Sequence, residues 1–253
     1  MLNNIFFYIP GLYRSHTRGN SSIKIVPFLL TDFLPVFIFA YYLAGVKFGW
    51  WFICSFLLAY FSMFNLYEIG YIINDVITIK YEVNPTLRLK QQEIEYAKSK
   101  MLLIISARLL IYVLLSCLLL FVVELKTDVF HIANLMLLCF YCFHNYFRNR
   151  IKYLTDFFLN ISKYLIPILV FSPLGNHVLL GLLLFSFPFM RTIFYILVKE
   201  NINHVDIYQC AMFFVVTSVA YCLTKTHGIP VEICFLFLFF FLYRCIIVIK
   251  RLK

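Results

Sequence analysis

Glu68, Asp75, Thr78 and Glu82 follow one another at intervals of seven, three and four residues. On a continuing helix they share one face, with Asn74 beside them. Oxygen ligands grouped in this way suit Mg²⁺, which keeps several waters and bridges carboxylates to substrate phosphates. The same residues also suit a solvated loop in which Asn74 and Asp75 cap a helix end, and spacing alone leaves both readings standing. These residues open a polar run from Glu68 to Lys100, the longest in the chain. Chemistry, if the chain performs any, is expected to start in this run.

The elements that must position the run are apolar. Of the 253 residues 63% are hydrophobic and only 13% charged, against about a quarter charged in soluble domains. The chain therefore reads as an all-α integral membrane protein, a single bundle over residues 1–253 with a motif loop at 74–100. Stretches long enough to cross the hydrocarbon, about 20 residues each, fall at 25–44, 48–73, 101–123, 129–147, 153–172, 177–198, 207–224 and 231–249. That predicts about eight spans (eight to nine), the second of which delivers Asn74 and Asp75 at its end. Residues 1–24 hold polar and basic residues with no continuous apolar core, so no cleavable signal peptide is expected. The eight cysteines lie almost entirely within apolar runs and read as packed thiols. Cys139 and Cys142 with His144 imitate a metal pattern but lack a second ligand pair.

The net charge of +10 is explained by membrane topology, so no nucleic-acid partner is expected. Fifteen lysines and arginines fall in segments on one side, from Arg14 to Lys253, and three, Lys47, Lys126 and Lys225, on the other. By the positive-inside rule this puts both termini and the motif loop in the cytoplasm. Four further cations, Arg108, Lys163, Arg191 and Arg244, fall within spans. Arg244 is expected to snorkel to the headgroups, and Arg108 suits either snorkelling or a buried role. Lys163 lies too deep, about 15 Å from the helix end by rise per residue. Asp156, seven residues earlier on the same face, offers it an ion-pair partner. A membrane cavity with excess positive charge calls for an anionic, lipid-borne ligand, because an intramembrane cation needs a partner.

In the order of its parts the polar run resembles the UbiA superfamily of intramembrane prenyltransferases. In that family the loop after the second helix begins Asn-Asp, repeats acids every three or four residues, and continues through an arginine into a short helix. Here Asn74-Asp75 leads to Thr78 and Glu82, then to Asn84-Pro85-Thr86-Leu87-Arg88, then to Gln92–Ala97. Tyr146-Phe147-Arg148-Asn149-Arg150-Ile151-Lys152 is similar to the basic loop after the family's fourth helix. The chain departs from the pattern in three respects: Thr78 stands at the middle acid, Glu82 at the usual Asp, and near residues 191–206 only Arg191, Lys199, Glu200 and Asp206 stand where a second Asp-rich motif belongs.

The resemblance implies a UbiA-like bundle and Mg²⁺-assisted transfer from an isoprenoid or polyprenyl phosphate or diphosphate to a small cytosolic acceptor. A branch of the family instead transfers a sugar phosphate onto polyprenyl phosphate, and Asn84-Pro85 is similar to that branch. Mapped onto this chain, the metal ligands would be Asn74, Asp75, Glu82 and Asp206. The catalytic groups would be Asp75, Glu82, Lys163 and Arg191, with the cations replacing part of a second metal's charge. Glu68, Asn74, Arg88, Arg148, Arg150, Lys152 and Lys199 would hold substrate. Two readings of other classes compete: a non-catalytic lipid-carrier-binding protein, favoured by the degraded second motif, and a transporter, which the lack of a visible inverted repeat disfavours.

Overall fold

The computed structural model describes residues 2–18, 25–45, 47–81, 86–122, 127–147, 151–171, 176–200 and 205–252. Among them all regular structure is helical. A short helix, α1 (Leu12–Arg18), follows a 3₁₀ segment Leu2–Phe7. Helix α2 runs continuously through Ile25–Phe28, Leu29–Phe33 and Leu34–Ala44. Helix α3 (Trp50–Tyr81) is followed by the short α4 (Gln91–Ser99), α5 (Met101–Val122) and α6 (Asp128–Tyr146). Helices α7 (Ile151–Phe171), α8 (His177–Lys199), α9 (Val205–His227) and α10 (Val231–Leu252) complete the bundle.

Among the described residues six helices, α3, α5, α7, α8, α9 and α10, are long and apolar enough to cross a membrane. At the other two expected spans stand α2, whose apolar part Leu29–Ala44 is shorter, and α6, 19 residues long but interrupted by His131, Asn134 and His144. Helix α3 is the hub: 72% of its apolar window is buried, against 22% for α5 and 17% for α9. The outer helices turn side chains such as Leu102, Phe121 and Phe235 outward, as lipid-facing helices do when the surrounding solvent is as apolar as their own leucines.

The polar run does not begin as a loop. Helix α3 continues past Ile73 through a π-helical stretch, Asn74–Thr78, and a 3₁₀ turn, Ile79–Tyr81. Two further π stretches occur, Leu29–Phe33 in α2 and Phe185–Phe189 in α8, and α7 ends in 3₁₀ geometry over Ile166–Phe171. Proline accounts for much of this, since Pro35, Pro167 and Pro188 cannot donate to the helix ladder and force a change of register. In α8 two hydroxyls bond back onto the helix around this stretch: Ser186 Oγ donates to Leu182 O at 2.6 Å and Thr192 Oγ1 to Pro188 O at 3.1 Å. A π turn rotates the residues that follow it and is frequent at functional sites. Asp32 and Asp75 lie within two of these stretches and Arg191 lies two residues after the third.

Gly70 sets how closely α6 approaches α3. A Cβ at this position would collide with the ring of Tyr141, whereas Gly181 in α8 has open space around it. Gly70→Ala should overpack the contact and cost about 1–3 kcal/mol, while Gly181→Ala should be neutral or stabilise by up to about 1 kcal/mol through helix propensity. Thermal unfolding of the two variants in detergent checks this, and equal midpoints would contradict the packing described.

Candidate functional site

The N-terminal segment is fastened to the hub by a buried ion pair. Arg108, on α5, and Glu68, on α3, are both fully buried and meet at 2.8 Å. Arg108 also donates through Nε to Phe7 O at 2.8 Å, and through Nη2 to the carbonyls of Phe6 and Ile9 at 3.3 and 3.4 Å. Glu68 in turn accepts from the backbone N–H of Gly11 at 2.9 Å and of Arg14 at 2.7 Å, satisfying first-turn donors of α1 that have no partner within the helix. Gly11 takes φ 83° where the chain turns into α1, a left-handed conformation that glycine alone adopts without strain. Arg108 thus does not snorkel, and Glu68, expected to hold substrate, instead clamps α1.

Helix α1 carries Arg14 and Arg18 to two buried carboxylates. Asp32 in α2 is fully buried and pairs with Arg14, with Lys163 of α7 and with Arg191 of α8, the last at 2.6 Å. Asp75 in α3 is 2% exposed. Its Oδ2 accepts from Tyr13 Oη at 3.0 Å and from Arg18 at 3.2 Å, and its Oδ1 accepts from Arg88 at 3.0 Å and from Asn74 at 3.3 Å. The Arg18 guanidinium also lies over the Tyr71 ring at 3.5 Å, a cation–π contact. Burial, and then the negative charge of Asp75, push the Tyr13 phenol well above its usual range, so it stays a donor to the carboxylate.

Above these pairs opens a cavity of about 740 Å³. Among the described residues its lining carries six cations, Arg14, Arg18, Arg88, Lys152, Arg191 and Lys199, against one carboxylate, Asp156. Asn74, Asn160, His144 and the rings of Tyr67, Tyr71, Tyr141 and Tyr195 complete most of the wall. A second, mainly apolar cleft of about 340 Å³ adjoins it, lined by Phe187, Met190, Phe194, Phe213 and Phe240, with Arg191, Tyr195 and Val198 common to both. A polar, cation-rich chamber therefore passes at Arg191 into a mainly apolar one, whose wall also includes Gln209 and Arg244.

Of the residues expected at the site, Asn74, Arg88, Lys152, Arg191 and Lys199 line the cavity, and Asp75 lies behind Arg18 and Arg88. Glu82, Arg148 and Arg150 lie outside the described residues. Lys163 does not reach the cavity. It is fully buried and bound to Asp32, not to Asp156, which accepts instead from Asn160 at 2.9 Å and lines the wall. The Asp32 pairing wins because α2 packs across the two helices that carry Lys163 and Arg191. Asp206 begins α9 and lies outside the cavity lining. Among the described residues no three of His, Cys, Asp and Glu gather closely enough to hold a metal ion. Both oxygens of Asp75 are engaged by arginines, so this donor set does not fit Mg²⁺ held through Asp75. Its chemistry is that of an anion site. Asp32 and Arg14 were not foreseen as site residues, although an aspartate within an apolar span is itself a signal of function.

No protein-family model, no curated protein and no solved structure matches this chain.

The clamp is testable apart from any activity. Arg108→Met leaves Glu68 buried without its counter-ion and should cost about 3–5 kcal/mol, with the N-terminal segment becoming accessible to protease. The double variant Arg108→Met/Glu68→Gln should be less damaged than the single one, since no unpaired charge remains. If the two substitutions destabilise additively, the ion pair is not what holds α1.

Proposed function

We propose that this chain is a membrane-embedded, UbiA-like transferase that binds a polyprenyl phosphate or diphosphate, with the phosphate among the arginines of the polar cavity and the chain running into the apolar cleft. The observation that carries this reading is the junction at Arg191, where a cation-lined chamber meets an apolar one. An amphiphilic anion has both halves that such a junction asks for. The lysine and arginine bias along the sequence supports a cavity open to the cytoplasm, from which a water-soluble acceptor would enter.

The work of catalysis in this reading is electrostatic. Arginines already oriented by buried carboxylates stabilise charge that grows on a leaving phosphate without reorganising. Tyr67, Tyr71 and Tyr141 also contribute to the chamber's wall, and aromatic rings beside a site can shield a cation that develops on the isoprenoid. Mg²⁺, implied by the family resemblance, has no step here, because the residues described do not fit it.

A second reading is favoured by one specific observation. Asp75 and Asp32 both spend their charge on internal ion pairs, which suits a protein that holds a lipid carrier without turning it over. The two readings part on turnover.

Native mass spectrometry of the protein in phosphatidylcholine nanodiscs containing polyprenyl phosphate or the corresponding polyprenol tests the common premise. Retention of the phosphate and not the alcohol is expected. Replacing Arg14 and Arg191 together with glutamine leaves Asp32 a neutral pair with Lys163, so the fold should survive while retention falls roughly tenfold or more, the scale of one lost charge-assisted contact. Equal retention of phosphate and alcohol would overturn the reading. Incubation with polyprenyl diphosphate and a cytosolic extract then separates transferase, which yields a prenylated product, from binder, which yields none.

A further inference from the structure

Helices α9 and α10 form an antiparallel hairpin whose seam is marked by its cross-helix pairs. Thr224 Oγ1 and Cys234 Sγ lie 3.2 Å apart near the turn. Further along, the rings of Phe214 and Phe241 lie 5.6 Å apart, and near the open end Cys210 and Cys245 bring their Sγ atoms to 3.2 Å. All eight cysteines are free thiols, and among the described residues no other two cysteine sulfurs are in contact. The chain joins the two helices at the turn, where Gly228 takes φ 63°, so nothing covalent holds the end at which the thiols meet.

The pair stands between two surfaces. Outside, Cys210 and Cys245 line a groove of about 500 Å³ together with apolar side chains such as Ile207, Phe214, Val215 and Ile249, which are exposed as lipid-facing groups are. Inside, their chain neighbours Gln209 and Arg244 line the apolar cleft beside Phe213 and Phe240. Cys210 follows the start of α9 at Val205, and Cys245 precedes the end of α10 at Leu252, by about 8–11 Å of rise. At that depth an oxidant dissolved in the bilayer reaches the sulfurs from the groove, while the helix ends lie near enough to water to exchange protons.

We propose that Cys210 and Cys245 are a redox-modification site for a hydroperoxide carried on a membrane lipid. One sulfur attacks the outer peroxide oxygen and the O–O bond breaks. The lipid leaves as an alcohol, taking the thiol proton, and the cysteine becomes a sulfenic acid. The second sulfur then bonds to the first, whose hydroxyl leaves as water with the second thiol proton. Two electrons have passed from the two thiols to the peroxide. Disulfide sulfurs stand about 2 Å apart, so the seam closes by little more than about 1 Å. The bond fastens the open end of the hairpin and fixes where Gln209 and Arg244 stand in the cleft wall, whatever the cleft binds.

The test uses the full chain in phosphatidylcholine nanodiscs doped with phosphatidylcholine hydroperoxide, read by peptide mass spectrometry without reduction. A linked pair of peptides holding Cys210 and Cys245, released by dithiothreitol, is expected. The same amount of hydrogen peroxide in the water should form it roughly tenfold more slowly, since access governs thiol oxidation. In Cys210→Ser or Cys245→Ser the remaining attacking sulfur should be trapped by dimedone as a sulfenic acid. Oxidised wild type should unfold at a higher temperature than reduced, and Cys210→Ser should abolish the difference. The exposed thiols Cys117, Cys139, Cys142 and Cys222 are the internal control. Oxidation of these while Cys210 and Cys245 stay reduced means that the pair only packs, and overturns the proposal. Linkage that is faster with hydrogen peroxide than with the lipid hydroperoxide overturns the lipid as its source.

Discussion

A carboxylate taken fully out of water in the middle of an apolar bundle must be compensated, and the site depends on how Asp32 meets that demand. An isolated ion at such a place costs several kcal/mol even after relaxation. Asp32 meets it with three cations brought from α1, α7 and α8. The dependence runs both ways, because Lys163 is fully buried and Arg14 nearly so, and without the carboxylate each would be a buried charge left unpaired. One aspartate therefore joins the N-terminal segment to two distant helices. The excess of cations over carboxylate is what leaves the adjoining chamber positive.

The second constraint is geometric. Arg14 and Arg18 reach the cavity only because α1 is held against α3 and α5, and the Arg108–Glu68 pair supplies that hold through Phe6, Phe7, Ile9, Gly11 and Arg14 backbone groups. The π turns complete the arrangement. A regular α-helix over Leu29–Phe33 or Asn74–Thr78 would present Asp32 or Asp75 to a different neighbour. The site is thus assembled from a clamp, two carboxylates and the arginines they orient, with each layer depending on the one beneath it.

Much of this was legible in the sequence. The positions of the apolar helices and of the polar run follow from composition and hydropathy, and Arg191 stands out as a cation within a span, whereas Asn74 and Arg88 are picked out only by the family resemblance. Lys163 was not legible. Helical periodicity offers Asp156 at the same face, but its partner Asp32 is 131 residues away and Arg191 is 159 residues from that same aspartate. Such pairing is decided by which helices pack together, and a single sequence carries no record of that. The end of α3 differs for a related reason: polar Asn74 and Asp75 read as the start of a loop, yet Asp75 is satisfied by partners from α1 and the Arg88 segment and Asn74 by Asp75 and Thr78 within the helix, so the helix continues. Asp32 itself, between Thr31 and Phe33 in an apolar run, is the signal that could have located the core of the site.

The most direct measurement is a double-mutant cycle on Asp32 and Lys163, read by thermal unfolding of Asp32→Asn, Lys163→Met and the double variant in detergent. If Asp32 is the charge on which the site is built, Asp32→Asn leaves buried cations without their counter-ion and loses about 3–5 kcal/mol, Lys163→Met, which leaves Asp32 with Arg14 and Arg191, loses less, and the double variant loses less than the sum because the fully buried Lys163 is no longer left unpaired. Additive losses in that cycle, or coupling of Lys163→Met to Asp156→Asn in its place, would contradict the account.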